Sequence, residues 1–469
     1  MPLLPSLFAA ASMLVALVFL WRRAIVSLAL APTLLTLLLV LHGPAYLYYA
    51  RIWGPHHAFF AQILAVESPG SDVIGSLDIA IGITFLGTCS GIAIADLLLG
   101  CNPRAMRSAL RDWHGQPMEI AAAATNRAMF IGVLGAAFLF ITAIANSHPE
   151  RIWHFLKSQE GEFEKIALRR ELAQFDSYWY LLLKNTVIPF SAYALLALAR
   201  CGYRTAWLGV LVVVPTLLIA NLATLSKAPI VVLCMLLALT EVVRHTLRPR
   251  PRTLVLLALG GATLLLTMVL IAIRTLEGME AALEFLFYRT FMIPNEVLLE
   301  YFAAIPSQLP HTWGADSGWF RSLTGQDPQP ALFWLVGEVH RGSRASTSTA
   351  MFLGDAWGGF SWIGVMVVPL IAGTVVRSLD IALIVRRRKS AGVVAGLVLG
   401  HYGLFIALTT AFQTALLSGG LALVLPLAMW LRAHRRTRSA VATMASRVHT
   451  PANAAVPSLS DGATVSKPA

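Results

Sequence analysis

Long apolar runs recur along the chain, each close to the length of about 20 residues that a helix needs to cross a bilayer. They cover residues 3–20, 24–48, 73–99, 124–145, 179–198, 206–223, 229–243, 253–273, 358–376, 391–411 and 415–430. Polar residues collect between these runs rather than alternating within them, so the pattern predicts an all-α integral membrane protein of about 11 transmembrane helices. Two polar intervals are long, 146–178 and 274–350, and are expected to form two long outer loops. In the first, Ile152, Phe155, Leu156, Phe163 and Ile166 recur at helical spacing among mixed charges, which predicts short helices lying on the interface. In the second, residues 281–304 read as an amphipathic helix ending before Pro306, and Pro, Gly and Asp make 306–330 irregular. Residues 1–432 thus form a polytopic transmembrane domain. Residues 433–469, basic and then rich in Ala, Ser, Thr and Pro, read as a disordered cytoplasmic tail.

Composition sharpens the class. The chain is 57% hydrophobic and 13% charged, where soluble domains carry roughly 25% charged residues. The net charge of +12 is not a nucleic-acid signature, because the cations sit in short connections between spans. Alternate connections carry Arg22 and Arg23; Arg104, Arg107 and Arg111; Arg200 and Arg204; Arg244, Arg248, Arg250 and Arg252; Arg386, Arg387, Arg388 and Lys389; and Arg432, Arg435, Arg436 and Arg438. The intervening connections are balanced or acidic. The positive-inside rule therefore predicts an outer N-terminus and a cytoplasmic C-terminus. Arg22 and Arg23 follow the first apolar run, the reverse of a secretory signal. Cys89, Cys101, Cys201 and Cys234 form no metal-like pair, and no P-loop, dinucleotide fingerprint or metalloprotease motif occurs, so no cofactor and no metal are expected.

Candidate chemistry concentrates in 274–350, which holds five arginines and no lysine, with aromatic rings interleaved. Guanidinium forks suit phosphate oxygens, and flat rings beside polar groups suit sugars. Lys184, Lys227, Arg274, Arg289, Arg341 and Arg344 are the candidates for a diphosphate at the membrane boundary. Tyr301, His311, Trp313 and Trp319 are the candidates for sugar contact. Glu338 and His340 lie in a short polar run with Arg341 and Arg344, where either could take a proton from a hydroxyl. Asp355 reads as a site acid or, more readily, a helix N-cap. Asp78 and Asp96 read as interfacial, and His401 as a hydrogen-bonded packing residue.

The segment Arg289-Thr290-Phe291-Met292-Ile293-Pro294-Asn295-Glu296 with Leu299, Tyr301 and Phe302 resembles bacterial oligosaccharide repeat-unit polymerases of the Wzy type. The same holds for Ser346-Thr347-Ser348-Thr349, the run 352–364, and Leu225-Ser226-Lys227-Ala228-Pro229. The resemblance spans about residues 221–373. The arginine-to-glycine spacing of some members is absent after Arg289, where Glu300 stands in the glycine's place. The resemblance implies a metal-independent glycosyltransferase at the outer face of the bacterial inner membrane, where the outer N-terminus is periplasmic. Its substrate would be undecaprenyl-diphosphate-linked oligosaccharide, serving as donor and acceptor in building a surface polysaccharide. Membrane lipid, and a chain-length regulator and flippase of the same pathway, are its implied partners. Alternatives are an O-antigen ligase-like transferase, a lipid-linked oligosaccharide flippase, and a polyprenyl-phosphate-sugar transferase using Glu67 and Asp72 as paired acids.

Overall fold

Backbone groups in lipid must find partners within their own segment, and the apolar runs do so as helices. The computed structural model describes residues 3–23, 27–66, 71–119, 122–146, 178–222, 228–272, 278–342 and 348–432. Lys227, Arg274, Arg344, the expected interface helices within 147–177 and the tail at 433–469 lie outside the described residues. The first half contains α1 (Leu3–Arg23), α2 (Leu30–His42), α3 (Pro44–Tyr48), α4 (Ala58–Leu64), α5 (Val73–Leu98), α6 (Pro103–Asp112), α7 (Ala122–Asn146), α8 (Tyr178–Leu182), α9 (Ile188–Ala199) and α10 (Arg204–Leu222). The second half contains α11 (Ala228–His245), α12 (Pro251–Ala272), α13 (Met279–Phe287), α14 (Ile293–Ala304), α15 (Gly318–Thr324), α16 (Leu332–Arg341), α17 (Phe352–Asp380), α18 (Ala391–Ala407), α19 (Phe412–Leu416) and α20 (Leu421–Arg432). No strand occurs among the described residues, only an isolated bridge between Glu119 and Ser390. The protein is an all-α, multi-pass membrane protein.

Eight helical segments among the described residues are long and apolar enough to cross a membrane, against the eleven expected, and 251–267 and 391–407 are shorter apolar helices. The expected run 24–48 is interrupted. α2 ends at Gly43, and the chain continues through α3 into a wide turn at Tyr49–Trp53. The interval 274–350 is also more ordered than a loop. It contains α13 to α16, and the Glu338–Arg341 run lies on α16.

The most extensive packing joins α5 to α17. Small residues make it possible: a Cβ on Gly91 would sit 2.1 Å from the Leu370 carbonyl oxygen, and one on Gly373 would sit 2.3 Å from that of Thr88. Gly87 and Gly91, one turn apart on α5, form the small-residue stripe that lets two helices approach backbone to backbone. Asp96 and Arg377 close the same interface with a buried 2.7 Å ion pair. Asp78 is fully buried and accepts from Tyr46 at 2.7 Å, from Ser6 at 2.8 Å and from Arg51. Both aspartates are therefore ties between helices, because a carboxylate inside a bundle is retained only with partners. His401 bonds the Leu397 carbonyl at 2.8 Å, as a packing histidine does.

The basic connections meet at one end of the bundle. Arg107 bonds the Arg22 carbonyl, Trp113 bonds that of Val243, Lys389 that of Trp113, and Arg386 that of Leu99. There Asp380 accepts from the backbone N–H groups of Leu30 at 2.7 Å and Ala31 at 2.9 Å, capping α2 from a distant helix. Asp380→Ala leaves two buried donors without an acceptor and is expected to lower stability by about 1–3 kcal/mol. Thermal unfolding of the detergent-solubilised protein checks this.

Candidate functional site

A polar centre forms at the opposite end of the bundle, around α14. This helix has no exposed face: Asn295 to Ala304 are all buried, by packing against α2, α4, α5, α16 and α17. Glu296 and Glu300 lie one turn apart on it, 4% and 0% exposed. Buried carboxylates are rare unless paired, so their partners define the site.

Glu300 is compensated. Its Oε1 accepts from Arg341 on α16 at 2.7 Å, and its Oε2 accepts from the Ser348 hydroxyl. Its backbone carbonyl receives Nε2 of His340 at 2.9 Å. Glu296 has no ion-pair partner among the described residues. Its two oxygens lie 3.2 and 3.1 Å from the Tyr288 hydroxyl, which donates to them. Burial, reinforced by the charge of Glu300, pushes its carboxyl up to about 7, against the pull of Tyr288 and Arg341. The carboxylate in turn raises the Tyr288 hydroxyl, whose own burial contributes most. Burial lowers the His340 imidazole. The Tyr49 hydroxyl, 1% exposed and electrostatically coupled to Glu296 and Glu300, has no hydrogen-bond partner among the described residues. Asn295 is held by the Leu41 and Phe291 carbonyls and by Nδ1 of His42, which anchors α14 to α2.

A second cluster adjoins this one through Tyr301, whose ring is enclosed and whose hydroxyl is unpartnered among the described residues. Asp355 is in the first turn of α17. It is not the cap that the sequence suggested, since Met351 occupies that position and no side chain caps it. The helix starts there because α14 and the 311–317 loop bind its first turns. Trp357 stacks on Phe302 at 4.6 Å and donates to the Ile305 carbonyl, and Thr312 N–H bonds the Gly358 carbonyl. A break at Phe360 and Ser361, where Ser361 has φ +54°, separates this short opening segment from the long remainder of α17. Asp316 accepts from Thr312 at 2.6 Å. His311 bonds the Trp357 carbonyl at 2.9 Å, and its ring contacts those of Trp357 and Trp313. Trp313 is exposed.

The structure thus brings Arg341, His340, Tyr301, His311, Trp313 and Asp355 to one end, around α14 and the start of α17. Glu338 is half-buried on α16. Lys184 is buried on the wide turn between α8 and α9, with its ammonium over the Tyr180 ring at 5.4 Å. Arg289 is exposed; its guanidinium lies 5.6 Å from the centre of the Phe285 ring and pairs with no carboxylate among the described residues. Trp319 lies on α15. Glu67 lies outside the described residues, and Asp72 caps α5 by accepting from Gly75 N–H at 2.9 Å. No group of three or more metal-ligating side chains occurs among the described residues.

Sequence reasoning missed Glu296, Glu300, Tyr288 and Tyr49 as a unit. The available signal was the one-turn spacing of two acids inside an otherwise apolar helix, with Tyr288 two turns earlier. No protein-family model, curated protein or solved structure matches the chain.

Proposed function

We propose that the protein is a membrane-embedded glycosyltransferase that joins lipid-diphosphate-linked oligosaccharide units into a polysaccharide. The observation that carries this reading lies on the wide turn Tyr288–Met292. There Arg289, exposed and with no acid partner among the described residues, is next in the chain to Tyr288, which bonds the buried Glu296, itself without a cation partner among the described residues. Transfer from a lipid diphosphate requires cationic support for the leaving group and a proton acceptor for the attacking hydroxyl, and both are present within a few residues. Arg341 adds a partly exposed second guanidinium on α16. The exposed Trp313 beside His311 offers a ring to a saccharide.

The finer topology in this proposal has eleven crossings, a periplasmic N-terminus, a cytoplasmic C-terminus and the α14 centre at the outer face of the inner membrane. The convergence of basic connections at the other end supports that orientation through the positive-inside rule.

Deletion of the gene tests the reading in cells. Single lipid-linked units are expected to accumulate without long chains, whereas finished but unattached polymer would indicate the ligase-like alternative. Arg289→Ala is expected to abolish chain growth while leaving the amount of folded protein unchanged. An exposed side chain without an acid partner contributes within about 0.5 kcal/mol to stability. Chain-length analysis alongside membrane immunoblotting reads both outcomes.

A further inference from the structure

Exposure falls step by step from the surface toward the polar centre. His57 is exposed, Trp53 and Tyr288 are half-buried, and Glu296 is 4% exposed behind them. The His57 and Trp53 rings stack with centroids 3.7 Å apart and planes at 24°. Trp53 then meets the Tyr288 ring at 5.5 Å, and Tyr288 reaches both oxygens of Glu296. A row of rings leading inward to a carboxylate is the arrangement that seats a sugar by its face and presents a hydroxyl to a base. Glu300 is the weaker candidate, because the Arg341 cation is paired with its carboxylate, whereas the hydrogen-bond partner of Glu296 is the neutral Tyr288 hydroxyl.

From this we infer that Trp53, His57 and Tyr288 form the acceptor-sugar subsite and that Glu296 is the catalytic proton acceptor. The inference rests on the transferase reading and deepens it. In the step, the acceptor hydroxyl oxygen bonds to the anomeric carbon of the donor. The bond from that carbon to the lipid diphosphate breaks, and its electron pair leaves with the diphosphate oxygen. The hydroxyl proton passes to Glu296, which later returns it to solvent. The buried Tyr49 hydroxyl, unpartnered among the described residues, gives the centre a free polar group for the incoming saccharide.

Glu296 accepts a proton only when ionised, so the rate is expected to rise with pH through about 7 and then level. The groups facing it are Tyr288 from the wide turn, Glu300 on its own helix, Arg341 from α16 and Tyr49 from the turn after α3. The sign for stability is opposite. A carboxyl raised in the folded state favours folding in its protonated form, and that contribution fades as pH rises from its usual range through about 7.

The test uses the full-length protein in nanodiscs and, as probe, the lipid-linked single units extracted from cells lacking the gene. Initial rates are measured against pH. Glu296→Gln is expected to reduce the rate by about 100-fold or more and to remove the rising limb. Tyr288→Phe keeps the ring but deletes the hydrogen bond that lowers the Glu296 carboxyl, so the midpoint is expected to move to higher pH. Trp53→Ala is expected to raise the KM for the acceptor while largely sparing kcat. A wild-type rate and pH profile in Glu296→Gln would overturn the base assignment alone. An unchanged midpoint in Tyr288→Phe would overturn it too, even if the glutamine variant fails to fold. An unchanged KM in Trp53→Ala would overturn the subsite. A wild-type protein that fails to extend the probe would overturn the transferase reading and this assignment with it.

Discussion

On the proposed transferase reading, replacing Arg341 with alanine is expected to stop chain growth and to lower the stability of the folded protein by about 3 kcal/mol. Both effects follow from one contact. The Arg341 guanidinium is 28% exposed, while its partner Glu300 is fully buried 2.7 Å away. Removing the cation leaves a fully buried carboxylate on α14 with Ser348 as its one remaining side-chain partner among the described residues, which is the unfavourable half of a broken pair. A second variant separates structure from chemistry. Arg341→Ala combined with Glu300→Gln removes both charges, so melting temperature is expected to recover toward wild type. Chain growth is not expected to recover, because the exposed part of the guanidinium no longer supports the leaving diphosphate. Recovery of both would reduce Arg341 to a structural partner. Thermal melts and chain-length gels on the same preparations measure the pair of outcomes.

Gly91→Leu is expected to be the most damaging single change away from the centre. A Cβ at this position would lie 2.1 Å from a backbone oxygen of α17, and backbone cannot step aside as a flexible side chain can. The two helices must separate. Separation also strains the Asp96–Arg377 pair and the Thr374 hydroxyl bond to the Gly91 carbonyl at 3.2 Å. Overpacking of this kind costs about 1–3 kcal/mol or more, and here it falls on the principal helix pair. Most of the variant is expected to elute as aggregate on size exclusion in mild detergent. A monodisperse peak with a wild-type melting temperature would show that the α5–α17 contact is looser than its geometry implies. Gly260→Leu provides the control, since nothing lies within 4 Å of a Cβ there.

The membrane class was legible because hydropathy acts over 20 residues at a time, and no tertiary detail alters it. The breaks within runs were not legible. The interruption at Gly43 and the break at Phe360 and Ser361 depend on which helices pack there; the adjoining Pro44, Gly358 and Gly359 permit a break without dictating one. The partners of Asp78 and Asp96 were hidden for the same reason: a sequence shows a charge near a helix end, but not the Arg51 or Arg377 that another segment brings to it. At the centre, the sequence drew attention to the abundant arginines. The structure directs it to the acids, because burial of α14 makes Glu296 and Glu300 unusual while Arg289 is exposed and Arg341 partly so. Arg341 and His340 were found, but their attachment to Glu300 was not, because the chain leaves α14 and returns some forty residues later on α16.

The most direct measurement is product analysis by mass spectrometry, with wild-type protein in liposomes and lipid-linked single units as the sole substrate. The account predicts a ladder of products lengthened by whole units, with one lipid diphosphate released for each linkage formed. Unaltered single units, or units moved across the bilayer without any new glycosidic bond, would contradict it.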